Sequence, residues 1–128
     1  MNYFPTSVAN AINKAFSPAA TYSDEDGAYI VSCTATAPTL AITIGGTAFT
    51  INPLDMILDA GDGVCITGID DGGGSGSLFI LGDTFQKNVV SIFDVGAVEM
   101  LFAPNEDYTS NDTYKKRKVA KRNRRMMK

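Results

Sequence analysis

The sequence of this 128-residue chain contains no histidine, which limits the catalytic and metal-binding chemistry that its residues could perform. Ser-His-Asp and Cys-His catalytic groups both need an imidazole, and so does a zinc site with histidine ligands. These three kinds of site are therefore excluded within the chain. Two cysteines, fourteen acidic residues and a cluster of basic residues near the end of the sequence remain as candidates.

The two cysteines, Cys33 and Cys65, each lie on a short apolar segment typical of a β-strand. They have two interpretations. They are two buried free thiols of a cytosolic protein, or one disulfide that closes a loop of about 33 residues and contributes roughly 3–4 kcal/mol to stability. Two cysteines are too few to indicate a redox compartment, so composition leaves both interpretations open.

The charged residues are divided unequally along the chain. Nine of the eleven Lys and Arg lie within residues 115–128, whereas all fourteen Asp and Glu precede Lys115. With two basic and fourteen acidic residues, residues 1–114 carry a net charge of −12. A segment of that charge repels nucleic acid and anionic membranes, whereas the basic residues 115–128 attract them. Residues 105–128 are polar or basic without an apolar stripe, which predicts disorder.

Membrane-spanning and targeting patterns are also missing from the sequence. No apolar run reaches the roughly 18 residues of a membrane span. Residues 1–20 lack the basic start and apolar core of a signal peptide. We therefore expect no membrane partner and no signal peptide within this chain.

The first element expected to position the candidate residues is a short helix after the start signal Pro5-Thr6-Ser7. Apolar residues then recur at helical spacing, and this stripe is expected to pack into the core. The residues of the stripe are Val8, Ala11, Ile12, Ala15 and Phe16.

From Tyr22 onward the apolar residues alternate, and turns recur about every eight to twelve residues, which predicts an all-β domain. The main predicted strands are residues 29–33, 40–44, 48–51, 56–58, 64–66, 78–81, 89–93 and 98–102. Residues 78–81 are apolar throughout, which predicts a strand buried on both faces.

A series of short motifs runs through residues 22–104, and the most specific is Phe79-Ile80-Leu81-Gly82-Asp83-Thr84-Phe85. The other motifs are residues 27–33 and 65–69 with the two cysteines, 42–46 with a Gly-Gly turn, 49–53, 90–94 and 100–103. In order and spacing this series resembles the closing stretch of the C-terminal lobe of pepsin-like aspartic proteases.

The resemblance implies a fold and a domain organisation. Residues 1–104 are expected to form an all-β, incomplete C-terminal lobe of a pepsin-like double-β-barrel acid protease, with one short N-terminal helix. Residues 105–128 are expected to form a disordered basic tail. The resemblance also implies a Cys33–Cys65 disulfide, and together with the glycine-rich loop at 72–76 it suits a secreted fungal member of the family.

The resemblance also implies the chemistry of paired aspartates. In this family one aspartate from each lobe, each in an Asp-Thr/Ser-Gly turn, shares a proton with the other and activates a water that attacks the peptide carbonyl. The sequence contains neither motif, and Met1 falls just after the position of the C-lobe copy. We therefore expect a truncated aspartic endopeptidase that is inactive alone.

Partners and cofactors follow from the same resemblance. The missing N-terminal lobe is the expected partner, and a peptide or protein is the expected substrate of the full-length parent. Neither a cofactor nor a metal is expected. The family resemblance implies an extracellular or vacuolar location.

Asp59 is a candidate catalytic carboxylate within the chain. Ile57-Leu58-Asp59-Ala60-Gly61 is similar to the hydrophobic-hydrophobic-Asp-Thr-Gly motif, and a chain of this size with one such motif could be a homodimeric protease of the retroviral type. However, Ala60 lacks the hydroxyl, and the motif lies six residues before Cys65, where the family has a variable turn. We therefore interpret Asp59 as part of a surface turn and keep the catalytic role as the alternative.

Four residues are expected to line the substrate cleft by their position in the family pattern: Ile69, Asp70, Leu78 and Ile80. The loop after the second cysteine and the strand before the Leu-Gly-Asp turn form the side of the cleft that binds residues after the scissile bond. The alternative for Ile80 is sheet core, and for Asp70 a solvated loop.

The basic tail favours a different class of function. Lys115-Lys116-Arg117-Lys118-Val119 resembles a short nuclear-localisation motif, and such runs also bind nucleic acid. The alternative to a protease fragment is therefore a non-catalytic β module whose residues 115–128 bind nucleic acid or an import receptor.

Overall fold

The computed structural model describes residues 1–72 and 79–106, in which strands are the main secondary structure. The helices in these residues are α1 (Thr6–Lys14), α2 (Asp83–Gln86) and the 3₁₀ helix Pro53–Met56. The strands are β1 (Asn2–Tyr3), β2 (Thr21–Ser23), β3 (Ala28–Val31), β4 (Leu40–Ile44), β5 (Thr47–Ile51), β6 (Ile57–Gly61), β7 (Val64–Thr67), β8 (Ile69–Asp70), β9 (Val89–Asp94) and β10 (Glu99–Pro104). The all-β prediction is therefore confirmed.

The strands form four small sheets. The largest has the order β2-β3-β7-β6 and is antiparallel throughout, and antiparallel hairpins join β4 to β5 and β9 to β10. The β4–β5 turn is made by Gly45 and Gly46 at φ of +57° and +80°, which suits a two-residue hairpin connection. The fourth sheet pairs β1 with β8 in parallel. Within the described residues no sheet closes into a barrel, as expected for an incomplete pepsin-like lobe.

The predicted disulfide is confirmed, and the interpretation as two free thiols is wrong. Cys33 and Cys65 are bonded to each other. Strand β3 ends at Val31, so Cys33 lies in an exposed turn two residues beyond it, whereas Cys65 is buried on β7. The bond therefore ties a surface turn to the centre of the largest sheet.

The predicted helix is confirmed, but its predicted buried stripe is wrong in part. Phe16, just beyond α1, is buried as expected, whereas Val8 and Ala11 are exposed. The buried residues of α1 are Ala9 and Asn13. The helix turns this face inward because Ala9 packs into the hydrophobic core and a buried polar side chain, that of Asn13, makes hydrogen-bond contacts that join α1 to the sheets.

Asn13 makes these contacts through both ends of its amide. Its Nδ2 donates to the carbonyl oxygens of Ala9 at 3.0 Å and Ile69 at 3.2 Å. Its Oδ1 accepts from the Thr67 hydroxyl at 2.7 Å, and that hydroxyl also lies 3.0 Å from the Ile69 carbonyl. A buried amide with satisfied donors and acceptor avoids the desolvation penalty of an unpaired polar group and fixes one orientation of the helix.

The predicted buried strand at residues 78–81 is wrong for its described part. Leu78 lies outside the described residues. Ile80 forms only an isolated bridge with Tyr3, and it is 41 % exposed. Phe79 is also exposed and packs one ring edge against Phe4, with centroids 5.9 Å apart. The apolar run predicts sheet core, but within the described residues only β1 pairs with it.

Removing the disulfide should destabilise the chain by about 3–4 kcal/mol, because the cross-link limits the loop entropy of the unfolded chain. Denaturant unfolding of the oxidised protein, the reduced protein and the Cys33→Ala/Cys65→Ala variant measures the change. The reduced protein serves as the control, since it loses the bond but keeps both sulfur atoms. Equal midpoints for the oxidised and reduced proteins would contradict the prediction.

Asn13→Ala should lower the free energy of unfolding by about 2–4 kcal/mol, since it leaves the Thr67 hydroxyl and the Ile69 carbonyl with fewer partners and opens a cavity. The matched control is Lys14→Ala, one residue along the same helix and exposed, which should change stability by less than about 0.5 kcal/mol. Similar losses for both variants in denaturant unfolding would show that the buried amide has no special role.

Candidate functional site

Strand β1 is held on both sides by backbone hydrogen bonds. On one side the N–H groups of Asn2 and Phe4 donate to the carbonyls of Gly68 and Asp70 at 2.8 and 2.9 Å. On the other side Tyr3 and Ile80 exchange two hydrogen bonds of 2.9 Å each. The central position of β1 therefore brings a residue after the second cysteine and a residue before the Leu-Gly-Asp turn to the same place.

Three of the four residues predicted to line a cleft meet at β1. Asn2 is opposite Ile69 and Tyr3 is opposite Asp70 in the parallel register, while Ile80 faces Tyr3 from the other side. Ile69 is fully buried, Asp70 is 7 % exposed and Ile80 is 41 % exposed. We call Asn2, Tyr3, Ile69, Asp70 and Ile80 the β1 platform. The fourth predicted residue, Leu78, is outside the described part of the chain.

Two glycines permit the close packing behind the β1 platform. A Cβ on Gly82 would overlap the carbonyl oxygen of Met1, and a Cβ on Gly68 would lie 2.6 Å from the hydroxyl oxygen of Thr84. Any larger residue at either position would push β1 or α2 away. The Leu-Gly-Asp turn is therefore pressed against the start of β1, which fixes the position of Ile80.

Asp70 is the last residue of the platform strand β8, and Asp71 follows it. The Asp71 N–H donates to Asp70 Oδ1 at 2.7 Å, and the hydroxyl of Thr6, the first residue of α1, donates to Asp71 Oδ2 at 3.0 Å. The carboxylate of Asp71 is thus held at the N-terminus of α1, where the helix dipole favours negative charge. The prediction that Asp70 lies in a solvated loop, the alternative to a cleft residue, does not match its burial.

Two tyrosines lie beside these carboxylates and were missed by the sequence analysis. Tyr22 on β2 and Tyr29 on β3 are directly opposite in the antiparallel register, and their rings meet edge to face with centroids 5.1 Å apart. The Tyr29 hydroxyl donates to Asn10 Oδ1 at 2.6 Å. The signal that could have found the pair is the hairpin turn at 24–27, which places residues 22 and 29 across from each other.

Burial and nearby negative charge both act on these hydroxyls. Burial first, and then the carboxylates of Asp70 and Asp71, raise the pKa of Tyr22 and of Tyr29 above the usual value of 10.0. Asp24 adds a smaller effect on the pKa of Tyr22. The two hydroxyls therefore stay protonated where the carboxylates are charged, and the surface carries net negative charge beside aromatic rings.

Asp59 lies on β6, an outer strand of the largest sheet, away from the platform strands in the sheet topology. Its side chain is exposed, and its Oδ1 accepts from the Gly61 N–H at 2.8 Å. Gly61 has a φ of +94° where the β6–β7 pairing shifts register. The geometry is that of a side chain that closes a local turn, while its catalytic role stays an untested prediction.

The described residues also bear on metals and membranes. No group of three His, Cys, Asp or Glu side chains able to hold a metal ion occurs within residues 1–72 and 79–106. In the same residues, none of the helices has the length and apolar character needed to cross a bilayer.

Comparison with known proteins agrees with the motif series. A sequence profile described as "Eukaryotic aspartyl protease" matches residues 1–105. The chain belongs to this pepsin-like family. A "Probable aspartic-type endopeptidase" of Aspergillus fumigatus is 53 % identical over 109 residues, which cover 80 % of this chain and 25 % of the relative.

More distant relatives match over similar shares of their sequences. Aspartic protease 6 of Caenorhabditis elegans is 41 % identical over 79 % of this chain and 26 % of its own length. Rhizopuspepsin of Rhizopus chinensis is 33 % identical over 78 % of this chain and 24 % of its own length. This member of the aspartyl protease family thus spans about a quarter of the length of the relatives it matches.

The hydroxyls of Tyr22 and Tyr29 should lose their protons at a higher pH than an ordinary tyrosine, whose pKa is 10.0. Because the pKa of each hydroxyl is higher in the folded chain, the unfolded chain loses these protons first, and stability should fall as the pH rises above 10. Absorbance at 295 nm, compared between the parent, Tyr22→Phe and Tyr29→Phe, isolates the two transitions. Asp71→Asn should move both toward 10.0. One common transition at that value for all five tyrosines would contradict the prediction.

Proposed function

We propose that this chain acts as part of an aspartic-type endopeptidase and supplies one wall of its peptide-binding cleft through the β1 platform. The observation that carries the proposal is the convergence of Ile69, Asp70 and Ile80 on β1. These residues come from the two segments that line the cleft in the family pattern. The partly exposed Ile80 and the carboxylate of Asp70, which lie on opposite sides of Tyr3, offer apolar and polar contacts to a peptide.

The catalytic aspartates come from outside this chain in our proposal. The sequence has neither an Asp-Thr-Gly nor an Asp-Ser-Gly triplet. Proton sharing needs two carboxylates about 3 Å apart, so that only one ionises. Asp59 is engaged with Gly61 in its own turn, which does not prepare it for this role. The chain alone is therefore inactive in proteolysis.

The exposed apolar residues of the β9–β10 hairpin support the remainder of the same protease as the partner of this chain. Its exposed apolar residues are Val90, Ile92, Phe93, Val95, Val98, Met100 and Leu101. Val90 and Ala103, and Ile92 and Leu101, are opposite pairs on one face of the hairpin. Exposed apolar patches of this extent mark interaction sites. We propose that the remainder of the protease, which makes up about three quarters of the matched relatives, covers this face.

The disulfide supports a location outside the cytosol. Disulfides persist in oxidising compartments and are rare where glutathione keeps thiols reduced. We therefore propose an extracellular or vacuolar location. The nucleic-acid alternative depends on residues 115–128, which lie outside the described residues, and the family match favours the protease.

Activity should require the rest of a protease. We predict no cleavage of an acid-denatured protein by the full chain alone. A chimera in which residues 1–105 replace the matching part of the Aspergillus fumigatus relative should cleave the same substrate at acidic pH, and a statine-type inhibitor should block it. Failure of the chimera to cleave, with the unmodified relative active, would contradict the cleft role.

Asp59→Ala provides the control for the alternative catalytic assignment. In the chimera this exposed turn substitution should leave the cleavage rate within about twofold, because the Asp59 side chain is exposed and accepts a hydrogen bond from Gly61 in its own turn. Cleavage by the chain alone that disappears in Asp59→Ala would instead assign catalysis to a homodimer of this chain.

A further inference from the structure

The Leu-Gly-Asp turn joins Ile80 of the β1 platform to helix α2, and one side chain of that helix reaches back to the turn. The Nε2 of Gln86, the last residue of α2, donates to the backbone carbonyl oxygen of Leu81 at 3.2 Å. The backbone N–H of Gln86 donates to the carbonyl oxygen of Gly82 at 2.9 Å. A single residue therefore binds two successive carbonyls directly after Ile80.

A second partner fixes the orientation of the Gln86 amide. Its Oε1 accepts from the hydroxyl of Ser91, on strand β9, at 2.7 Å. The carbonyl oxygen of Leu81 only accepts, so the NH₂ group of the amide must face Leu81, and the Ser91 hydroxyl donates to the remaining amide oxygen. Because both ends of this half-buried amide have partners, the side chain is held in one position.

The position of Ile80 depends on the peptide group that Gln86 binds. Within the described residues Ile80 pairs with Tyr3 only through an isolated bridge, so neighbouring strand pairs do not hold it. The side chain of Leu81 packs against the hydrophobic core, whereas that of Ile80 is 41 % exposed, as expected where successive side chains point to opposite faces. A rotation of the Leu81 peptide group would therefore change the face that Ile80 presents.

We propose that Gln86 is a positioning residue, whose bond to the Leu81 carbonyl keeps Ile80 in place for contact with the peptide. The proposal rests on the proposed function, because it takes the β1 platform as the peptide-binding wall. Gln86 itself does not touch the peptide. Its loss should weaken binding of the substrate and leave the chemical step unchanged, since the reacting atoms lie elsewhere.

Hydrogen exchange of the full chain, followed by NMR, tests the positioning effect without activity. The Ile80 N–H donates to Tyr3 on one side of β1, and the Phe4 N–H donates to Asp70 on the other. Gln86→Met keeps the length of the side chain but loses both amide bonds. It should raise the exchange rate of Ile80 about threefold to tenfold, the effect of one lost hydrogen bond. The rate of Phe4 should change by less than about twofold, whereas a general loss of stability would raise both rates.

The chimera with the Aspergillus fumigatus relative tests the consequence for the substrate. Gln86→Met should raise KM about threefold to tenfold and leave kcat within about twofold, because a displaced wall weakens ground-state and transition-state binding equally. A loss of folded enzyme would instead lower kcat at an unchanged KM. Lys87→Met is the matched control, since the neighbouring residue receives the same replacement. Its ammonium group lies 3.8 Å from Asp55, and its loss should leave KM within about twofold.

The possible failures are distinguishable. An unchanged exchange rate of Ile80 in Gln86→Met, or equal acceleration of Ile80 and Phe4, would overturn the positioning role and leave the cleft wall standing. An active chimera in which Gln86→Met leaves KM unchanged, or in which Lys87→Met raises KM equally, would overturn it as well. An inactive parent chimera, with the unmodified relative active, would instead overturn the proposed function on which the positioning role depends.

Discussion

The backbone pairing of β1 is the constraint on which the rest of the structure depends. Two residues, Asn2 and Tyr3, use their hydrogen-bonding groups on both sides, toward β8 and toward Ile80. Segments about seventy residues away in sequence are thereby joined at one position. Without this strand, neither the end of β8 nor the segment before α2 would have a fixed place, and the candidate site would not exist.

Polar contacts and close backbone approach hold that strand in its environment. Asn13 connects α1 to Thr67 and Ile69, so the helix is tied to the strand that pairs with β1. Gly82 allows the Leu-Gly-Asp turn to approach Met1 without a clash. Helix α1 also places the Thr6 hydroxyl against the carboxylate of Asp71. The same helix therefore contacts both the core of the fold and the charged edge of the site.

Local pattern predicted the helix, the hairpins and, through the family motifs, the disulfide. These features depend on neighbours along the chain or on a motif series. The local pattern did not predict the burial of Asn13, because its partners Thr67 and Ile69 lie far away in sequence. It also predicted a buried strand at Phe79 and Ile80, whose side chains are exposed, because apolar residues do not reveal what covers them. Tyr22 and Tyr29 were missed because each alone is an ordinary strand residue, and only the cross-strand pairing of β2 with β3 brings the two rings together.

The central claim is that the β1 platform is the peptide-binding wall, and backbone NMR tests it most directly. Titration of the full chain with an extended statine-type peptide inhibitor should change the amide signals of Tyr3, Asp70 and Ile80 most strongly. Changes confined to the β6–β7 turn around Asp59, or no changes at all, would contradict the account.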